Sequence, residues 1–242
     1  MRLDVYLTEN GFCKSRTAAQ SLIKSGGVSL DGKPCGKPST EVSDDSIVEI
    51  TGEQLRYVGR GGLKLEAALQ SFELPDIKGA VCVDRGSSTG GFTDCMLQKG
   101  AARVYAVDVG TDQLDGKLRG DTRVVVMEQT DIRTAQLPEL VDFIGTDVSF
   151  ISLKAVLPHI NRLLRIGCYA VALIKPQFEA GRAALSKKGV VKDEKTRLRV
   201  VEEIKQFAQQ CGFSVADVIE SPIQGGDGNI EYLMEIKKVA EI

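Results

Sequence analysis

Apolar runs of strand length alternate with helical patterns from Leu63 onward, and this alternation constrains the fold more than any other feature. The first five runs are Ala80–Val83, Val104–Val107, Val124–Met127, Phe143–Ile144 with Val148, and Tyr169–Ile174. Such alternation is typical of an α/β protein with a parallel, doubly wound sheet. Ser214–Ile219 and Ile230–Ile236 predict two final strands, separated by a loop that contains Gly225 and Gly228. Ligands of such sheets bind beyond the carboxyl ends of the strands.

The first 51 residues follow a different pattern, which predicts two short helices and a hairpin. Ser15 is a candidate N-cap for the second helix. The strand Val28–Leu30 is followed by Asp31 and Gly32, a pair that is typical of a hairpin turn. Ile47–Ile50 predicts one more strand. The N-terminal segment is therefore expected to be a small α+β unit.

A length of 242 residues fits one large domain together with a small one. The predicted parts are a small domain over 1–51, a polar and glycine-rich linker over 52–62, and an α/β domain over 63–242. The longest apolar stretches are far shorter than the roughly 20 residues of a membrane-spanning helix. Met1–Asn10 lacks the apolar core of a signal peptide. We therefore expect a cytoplasmic protein, and neither a membrane pore nor a secreted protein.

Cysteine and histidine usage gives little support to several classes of site. The six cysteines have no CxxC spacing, so neither a zinc site nor a redox motif is predicted, and no metal is expected. His159, the single histidine, lies in a helical pattern and is expected to be structural. A Ser-His-Asp or Cys-His mechanism is therefore disfavoured.

Charge is unevenly distributed in the first 55 residues. Residues 1–37 contain six basic and three acidic residues, whereas residues 38–55 contain five acidic and no basic ones. A local basic surface on a chain of net charge −2 is compatible with nucleic-acid binding. A solvated helix face explains the same counts, and charge alone favours that explanation.

The segment Val83–Phe92 (VDRGSSTGGF) predicts a ligand-binding loop between a strand that ends in Asp84 and a helix from about Thr93. The loop carries three glycines, Gly86, Gly90 and Gly91. Glycines allow a ligand to approach the backbone closely at a helix N-terminus. The spacing is neither that of a dinucleotide-binding motif nor that of a P-loop. Asp108, at the end of the second strand, can accept hydrogen bonds from both hydroxyls of a ribose. The combination indicates S-adenosylmethionine as the cofactor.

Three further strand ends carry charged residues. Asp131 follows the third strand and could accept a hydrogen bond from an adenine amino group, although a helix-capping role is equally compatible with its position. Asp147 ends the fourth strand and Lys175 ends the fifth, so the topology places both at the mouth of the cofactor site.

Motifs along nearly the whole chain carry a family resemblance. They are KSRTAAQSLIKSGGVSLDGKP, RGGLKLEAAL, DRGSSTGGFTD, VYAVDVG, TDVSFISL, LIKPQFEAGR, GVVKD and SPIQGGDGNIEYL. Through them the chain resembles the TlyA (hemolysin A-like) family of ribosomal RNA 2′-O-methyltransferases, in which an S4 RNA-binding domain precedes an FtsJ-type domain. The resemblance implies a Rossmann-like class I methyltransferase fold, with a mostly parallel seven-stranded sheet whose last strand is antiparallel. It also implies S-adenosylmethionine as cofactor and ribosomal RNA or a ribosomal subunit as partner, with large-subunit cytidine as the expected target and no membrane or metal.

The resemblance assigns roles to individual residues. A catalytic tetrad is implied, namely Lys64, Asp147, Lys175 and Glu231. The implied cofactor-binding residues are Asp84, Gly86, Ser87, Gly90, Gly91, Phe92, Asp108, Val109, Asp131 and Asp147. The implied RNA-binding residues are Lys14, Arg16, Lys24, Lys33, Lys37 and Arg60. In this scheme Lys175 is the general base, and the positive charges of Lys64 and of the cofactor favour the loss of its own proton.

Arg85 departs from the family pattern, because a small or aliphatic residue is usual between the aspartate and the first glycine of the loop. A guanidinium close to the cationic sulfonium of the cofactor would repel it, unless the side chain points away. An RNA- or ribosome-binding protein with a degenerate methyltransferase domain therefore stays open as an alternative. A methyltransferase that acts on another nucleophile is disfavoured by the tetrad.

Overall fold

The computed structural model describes residues 1–13, 15–24, 26–43, 45–50 and 56–242, with only the backbone for residues 17, 21, 24 and 226. The chain forms two compact units, Met1–Arg56 and Tyr57–Ile242. The division falls within the segment 52–62 that the sequence predicted as a linker.

The first unit packs two helices against a small antiparallel sheet. Its elements are α1 (Leu3–Glu9), α2 (Arg16–Lys24), β1 (Val28–Leu30), β2 (Lys33–Pro34) and β3 (Val48–Ile50), with the strand order β2-β1-β3. The predicted N-cap is confirmed, since the Ala18 N–H donates to Ser15 Oγ at 3.2 Å. Asp31 and Gly32 have φ values of 52° and 74°, as the predicted two-residue hairpin turn requires.

The described part of the second unit is built on a seven-stranded sheet. Its strands are β4 (Val81–Arg85), β5 (Arg103–Val107), β6 (Val124–Met127), β7 (Val141–Thr146), β8 (Leu164–Ile174), β9 (Phe213–Glu220) and β10 (Tyr232–Lys238). The order is β6-β5-β4-β7-β8-β10-β9, and β10 is antiparallel to both of its neighbours. The prediction of a mostly parallel seven-stranded sheet with an antiparallel last strand is confirmed. The chain progresses in opposite directions on the two sides of the β4–β7 pair, which is where such sheets bind ligands.

Helices cover both faces of this sheet. They are α3 (Gly61–Ser71), α4 (Gly91–Gln98), α5 (Gly116–Arg119), α6 (Leu157–Leu163), α7 (Pro176–Glu179) and α8 (Glu194–Gln210). Because side chains alternate along a strand, Cys82 faces one hydrophobic core with α3 and α4, and Val83 faces a second core with α6 and α8.

Several predicted boundaries are wrong by one or two residues. Strand β7 ends at Thr146, so Val148 lies beyond the strand and Asp147 is the first residue after it. Likewise, Asp108 and Lys175 come directly after their strands, which places their side chains on the loops at the carboxyl edge. Helix α4 begins at Gly91 because the left-handed Gly90 (φ 97°) turns the chain into the helix at once.

Of the helices within the described ranges, none is both long enough and apolar enough to cross a membrane.

Candidate active site

The four residues of the tetrad converge at the carboxyl edge of the sheet. Lys64 Nζ lies 2.7 Å from Glu231 Oε2 and 3.5 Å from Asp147 Oδ2. Lys175 Nζ lies 2.6 Å from Asp147 Oδ1. The charges therefore alternate along one chain, from Glu231 through Lys64 and Asp147 to Lys175.

The tetrad is buried and electrically balanced. Glu231 is 2% exposed, Lys64 7% and Lys175 8%, and the side chain of Asp147 is the most accessible of the four at 18%. Burying a charge is costly unless an opposite charge accompanies it. Two ammonium groups and two carboxylates satisfy this condition, so the cluster can exist at the edge of the core.

Three residues that the sequence analysis did not single out contact the tetrad. Ser149 Oγ accepts a hydrogen bond from Lys175 Nζ at 2.8 Å, and Gln177 Nε2 donates one to Glu231 Oε1 at 3.1 Å. A Cβ atom at Gly225 would overlap the Glu231 carboxylate, so a larger residue there would displace that carboxylate. Ser149 and Gln177 each lie two residues after a member of the tetrad, and this spacing was the only signal for them in the sequence.

The glycine loop, Gly86–Gly91, packs directly against the tetrad. Gly86 has φ 81°, and a Cβ atom there would lie 2.6 Å from the carbonyl oxygen of Asp147. A Cβ atom at Gly91 would lie 2.8 Å from the backbone nitrogen of Gly62, near the start of α3. Glycine is thus required at both positions, because the loop packs directly against the backbone of Asp147 and of Gly62, next to the charged cluster.

Asp108 joins the glycine loop to the loop that follows β5. Its Oδ2 accepts the Ser88 N–H at 2.8 Å, and its Oδ1 accepts the Gly110 N–H at 2.7 Å. Each carboxylate oxygen has a second lone pair, so the fixed carboxylate can also accept hydrogen bonds from a ribose. Val109, the next residue, exposes 68% of its surface beside this carboxylate.

A carboxylate further along the chain holds this loop in place. Glu128 accepts the backbone N–H groups of Asp112, Gln113 and Leu114. Its hydrogen bond with the Arg119 guanidinium is the main reason that the pKa of Glu128 falls to about 2. Glu128 is therefore ionised at any physiological pH and fixes the loop after Asp108.

The remaining predicted cofactor residues lie in different settings. Asp84 Oδ2 accepts the N–H and the hydroxyl of Thr93, and burial raises the pKa of Asp84 to about 7. Ser87 is buried, and its N–H donates to the Val107 carbonyl. The ring of Phe92 lies in the core against Gly145, so only its backbone lines the loop.

Asp131 is already paired. The Arg133 side chain and backbone N–H both donate to its carboxylate, and they lower the pKa of Asp131 to about 2. A contact between Asp131 and an adenine amino group stays a prediction.

Arg85 lies in the core. It has no exposed surface, and within the described residues its three guanidinium nitrogens have no hydrogen-bond partner. Strand alternation places it on the face of Val83, opposite Asp84. Burial lowers the pKa of Arg85 to about 10, an effect that the charge of Asp131 opposes. Burial, followed by the charge of Arg85, lowers the pKa of His159 in α6.

The side chains of two basic residues that the sequence analysis predicted to bind RNA, Lys14 and Lys24, are not described by the structure. Lys14 lies outside the described residues, and the structure describes only the backbone of Lys24. Lys33 and Lys37 are exposed. Arg60, in the second unit, donates to the Gln224 carbonyl at 3.2 Å.

Arg16 belongs to a cluster around the buried carboxylate of Asp4. Asp4 Oδ2 lies 3.0 Å from Arg16 Nε and 2.8 Å from Gln20 Nε2. The Arg2 guanidinium binds both oxygens of Asp4 and is the largest cause that holds the pKa of Asp4 far below its usual range. Arg2, which the sequence analysis did not single out, therefore lies beside Arg16 on an exposed rim.

Across the described ranges, no group of three or more histidine, cysteine, aspartate or glutamate residues has a geometry that could hold a metal ion.

Comparison with known proteins gives consistent results for the two units. A family model described as FtsJ-like methyltransferase matches residues 57–238, and one described as S4 domain matches residues 1–48. A Bacillus subtilis (strain 168) protein that carries the name of an rRNA methyltransferase, YqxC, is 46% identical over 239 residues, or 97% of this chain and 85% of the relative. The 16S/23S rRNA (cytidine-2′-O)-methyltransferase TlyA of Mycobacterium tuberculosis is 41% identical over 246 residues, or 98% and 89% of the two chains. The solved structure of a hemolysin-named protein from Streptococcus thermophilus is 44% identical with a TM-score of 0.79, and the match covers 100% of this chain and 89% of that one.

Proposed function

The chain belongs to the FtsJ-like methyltransferase family, and on this premise we propose that it methylates a ribose 2′-hydroxyl of ribosomal RNA, with S-adenosylmethionine as methyl donor. The observation that carries the proposal is the buried, alternating tetrad beside the glycine loop. A relative named as a cytidine-2′-O methyltransferase of 16S and 23S rRNA supports a ribose acceptor in ribosomal RNA. Within that class, we propose a cytidine of the large subunit as target, and the cytoplasm as the place of reaction.

The fit of the cofactor rests on the glycine loop and on Asp108. At Gly86, Gly90 and Gly91 the loop presents backbone without side chains, and Asp108 holds a fixed carboxylate against the Ser88 N–H of the same loop. When bound, S-adenosylmethionine supplies an electrophilic methyl group on a cationic sulfur. The loop backbone would hold the cofactor, Asp108 would accept its ribose hydroxyls, and the exposed Val109 would contact its apolar surface.

Lys175 is the proposed general base. A ribose hydroxyl is a poor nucleophile until it loses its proton. Lys175 Nζ takes that proton as a neutral amine, after it has released its own proton to solvent. Ser149 and Asp147 hold this amine, and Glu231 holds Lys64. The carboxylates therefore orient the two amines, and such positioning can lower a barrier by several kcal/mol, up to about 7–11 in ideal cases.

Phe150 is the proposed platform for the target base. It is 91% exposed, lies three residues after Asp147, and its ring centroid is 5.0 Å from that of Phe178. Its φ of 63° is unusual for a bulky residue, and strained backbone of this kind is concentrated at functional sites. Proteins that bind unpaired nucleotides stack the bases on exposed aromatic rings, so Phe150 can receive a base whose ribose enters the tetrad.

The test is a map of ribose methylation on ribosomal RNA from cells with and without this protein. We expect one or a few 2′-O-methyl marks that depend on the protein, and that disappear when it is replaced by the Lys175→Ala variant. An identical map in both strains would refute the proposed function.

Calorimetric titration separates an active enzyme from a degenerate one. S-adenosylmethionine should bind saturably, and Asp108→Ala should weaken its binding by at least about tenfold, or roughly 1.4 kcal/mol. Absence of binding to the unmodified protein at millimolar cofactor would favour the RNA-binding alternative. Restoration of binding by Arg85→Val would then assign the defect to Arg85.

A further inference from the structure

A basic segment, Arg182–Lys192, follows the tetrad along the chain, and the chemistry above makes no use of it. It carries four cations, Arg182, Lys187, Lys188 and Lys192, and no acidic residue lies between Glu179 and Asp193. All four are exposed, and none forms an ion pair within the part of the chain that the structure describes. Exposed lysines and arginines elsewhere in the second unit are commonly paired, as Arg103 is with Glu139 and Lys154 with Glu203.

The tip of this segment is a hydrogen-bonded turn, Ser186–Val190, which we name the basic turn. The Gly189 N–H donates to the Ser186 carbonyl at 2.9 Å, and the Ser186 N–H donates to the Val190 carbonyl at 3.0 Å. Lys187 and Lys188 occupy the two central positions, and Gly189 has the positive φ (74°) that closes the turn. The turn thus places two exposed lysines at adjacent positions of the chain.

One buried side chain fixes the basic turn relative to the tetrad. Asn229 is 4% exposed and lies two residues before Glu231. Its Oδ1 accepts the Val191 N–H at 3.3 Å, and its Nδ2 donates to the Gly189 carbonyl at 3.2 Å. At its other end the segment follows α7, whose Gln177 donates to Glu231. The segment is therefore connected to Glu231 at one end through Asn229, two residues away in sequence, and at the other end through α7.

We propose that the basic turn binds the phosphate backbone of the substrate RNA next to the target nucleotide, and that Asn229 is the positioning residue that sets this contact relative to Glu231. The inference rests on the proposed function, and adds a nucleic-acid contact within the methyltransferase unit itself. A nucleotide whose ribose reaches the tetrad brings its flanking phosphates with it. Unpaired cations held beside the site are the groups that phosphates recognise.

The first experiment measures RNA affinity as a function of salt, with the full chain and the rRNA segment that carries the mapped methylation. The test variant is Lys187→Gln with Lys188→Gln. The matched control is Lys78→Gln with Lys99→Gln, two exposed lysines that precede β4 and β5 at the opposite edge of the sheet. We expect the test pair to weaken binding on the order of tenfold at low salt and to reduce the salt slope by about 2, while the control changes neither.

Cofactor affinity is measured on the same proteins. It should equal the wild-type value in both variants, so a loss here would indicate damage to the fold and would overturn the assignment. A salt slope equal to that of the unmodified protein, or an equal reduction by the control pair, would also overturn it. Binding of acidic polypeptides with the same lysine dependence as RNA would contradict an RNA-specific surface. A failure of the proposed function can be distinguished from a failure of this inference, because no ribose methylation would then depend on the unmodified protein.

The second experiment tests the positioning role with Asn229→Ala. Both lysines remain, so the salt slope should stay at the wild-type value, whereas single-turnover methylation at saturating RNA should slow by up to about 10²-fold. If Asn229 were only structural, Asn229→Ala would lower the melting temperature, and the methylation rate and the RNA affinity would fall together. A single-turnover rate equal to that of the unmodified protein would refute the role of Asn229.

Discussion

The tetrad and the end of strand β4 both bury positive charge, but only the tetrad neutralises it. Lys64 and Lys175 each lie within 2.7 Å of a carboxylate oxygen. Arg85 has no exposed surface, and among the described residues none forms a hydrogen bond with its guanidinium. The charge of Asp131 acts on it, but that carboxylate is bound to Arg133.

This difference shows that a buried charge is not by itself a functional site. Two ammonium groups with two carboxylates form a balanced cluster, in which each buried cation lies beside an anion. An uncompensated guanidinium carries a desolvation cost of several kcal/mol instead. The tetrad is therefore suited to chemistry, whereas we expect Arg85 to lower stability. The following substitutions test this contrast, from the largest expected effect to the smallest.

Lys175→Arg should abolish most of the activity. Guanidinium keeps its proton in the pH range of the reaction, so the variant retains the charge but cannot act as a base. We expect the rate of the chemical step to fall by on the order of 10²–10⁴, measured as single-turnover methyl transfer with saturating RNA and cofactor. Lys175→Ala should lose a similar amount, with RNA and cofactor affinities nearly unchanged. If Lys175→Arg reacts at close to the wild-type rate, Lys175 is an electrostatic clamp and the proposed mechanism is wrong.

Arg85→Met should stabilise the protein. Methionine fills much of the same volume without a charge, and such replacements of buried charges can gain about 1–4 kcal/mol. Urea unfolding measures the change. Arg162→Met, on the exposed surface of α6, is the control and should stay within about 0.5 kcal/mol of the unmodified protein. Loss of stability in Arg85→Met would mean that the guanidinium is compensated in solution, and the contrast with the tetrad would fail.

The sequence predicted the sheet better than it predicted the site. Apolar runs are typical of strands in a parallel sheet, and Val124–Met127 is predicted to the residue although it is a partly exposed edge strand. Val148 was misplaced because the pattern records burial, and this residue is buried in the loop beyond β7. Glycines of the loop could be recognised because their positive φ values and close approaches exclude other residues.

Contacts between distant segments could not be predicted from the pattern. Lys64 and Glu231 are 167 residues apart, and only the family resemblance joined them in advance. Gln177 and Gly225 lie against Glu231, and no local periodicity in the sequence indicates this proximity. The binding of Arg16 to Asp4 likewise depends on how two helices pack, so the basic stripe of α2 gave no sign of it.

Glu231→Gln should leave one buried positive charge of the tetrad without a full negative partner, as Arg85 is. Glutamine preserves the size and one acceptor for Lys64, but it removes one of the two negative charges. We expect a loss of about 1–3 kcal/mol in the free energy of unfolding, because a buried ammonium loses its charged partner. Gln177→Glu in the same protein restores a carboxylate beside position 231, which Gln177 contacts, and should recover part of the loss. Unchanged stability in Glu231→Gln would mean that the balance of charge does not hold the cluster together.

Asp84 provides the smallest test, because it is the buried anion on the opposite face of the strand from Arg85. Burial raises the pKa of Asp84 to about 7, so a fraction of this carboxyl is protonated in the free protein near neutral pH. A cationic ligand at the adjacent glycine loop favours the ionised form, and its binding therefore releases protons. It follows that affinity for S-adenosylmethionine should rise as pH increases from 6 to 8, by less than about tenfold.

The demethylated product has no charge on sulfur, so its affinity should depend less on pH. Asp84→Asn keeps an acceptor for both Thr93 donors, and it should remove the difference between the two ligands in the pH dependence of their affinity. Calorimetric titration of both ligands at three pH values decides the question. Equal slopes for the two ligands in the unmodified protein, or a slope that survives in Asp84→Asn, would show that Asp84 does not sense the charge of the cofactor, and that the two faces of β4 bury their charges for unrelated reasons.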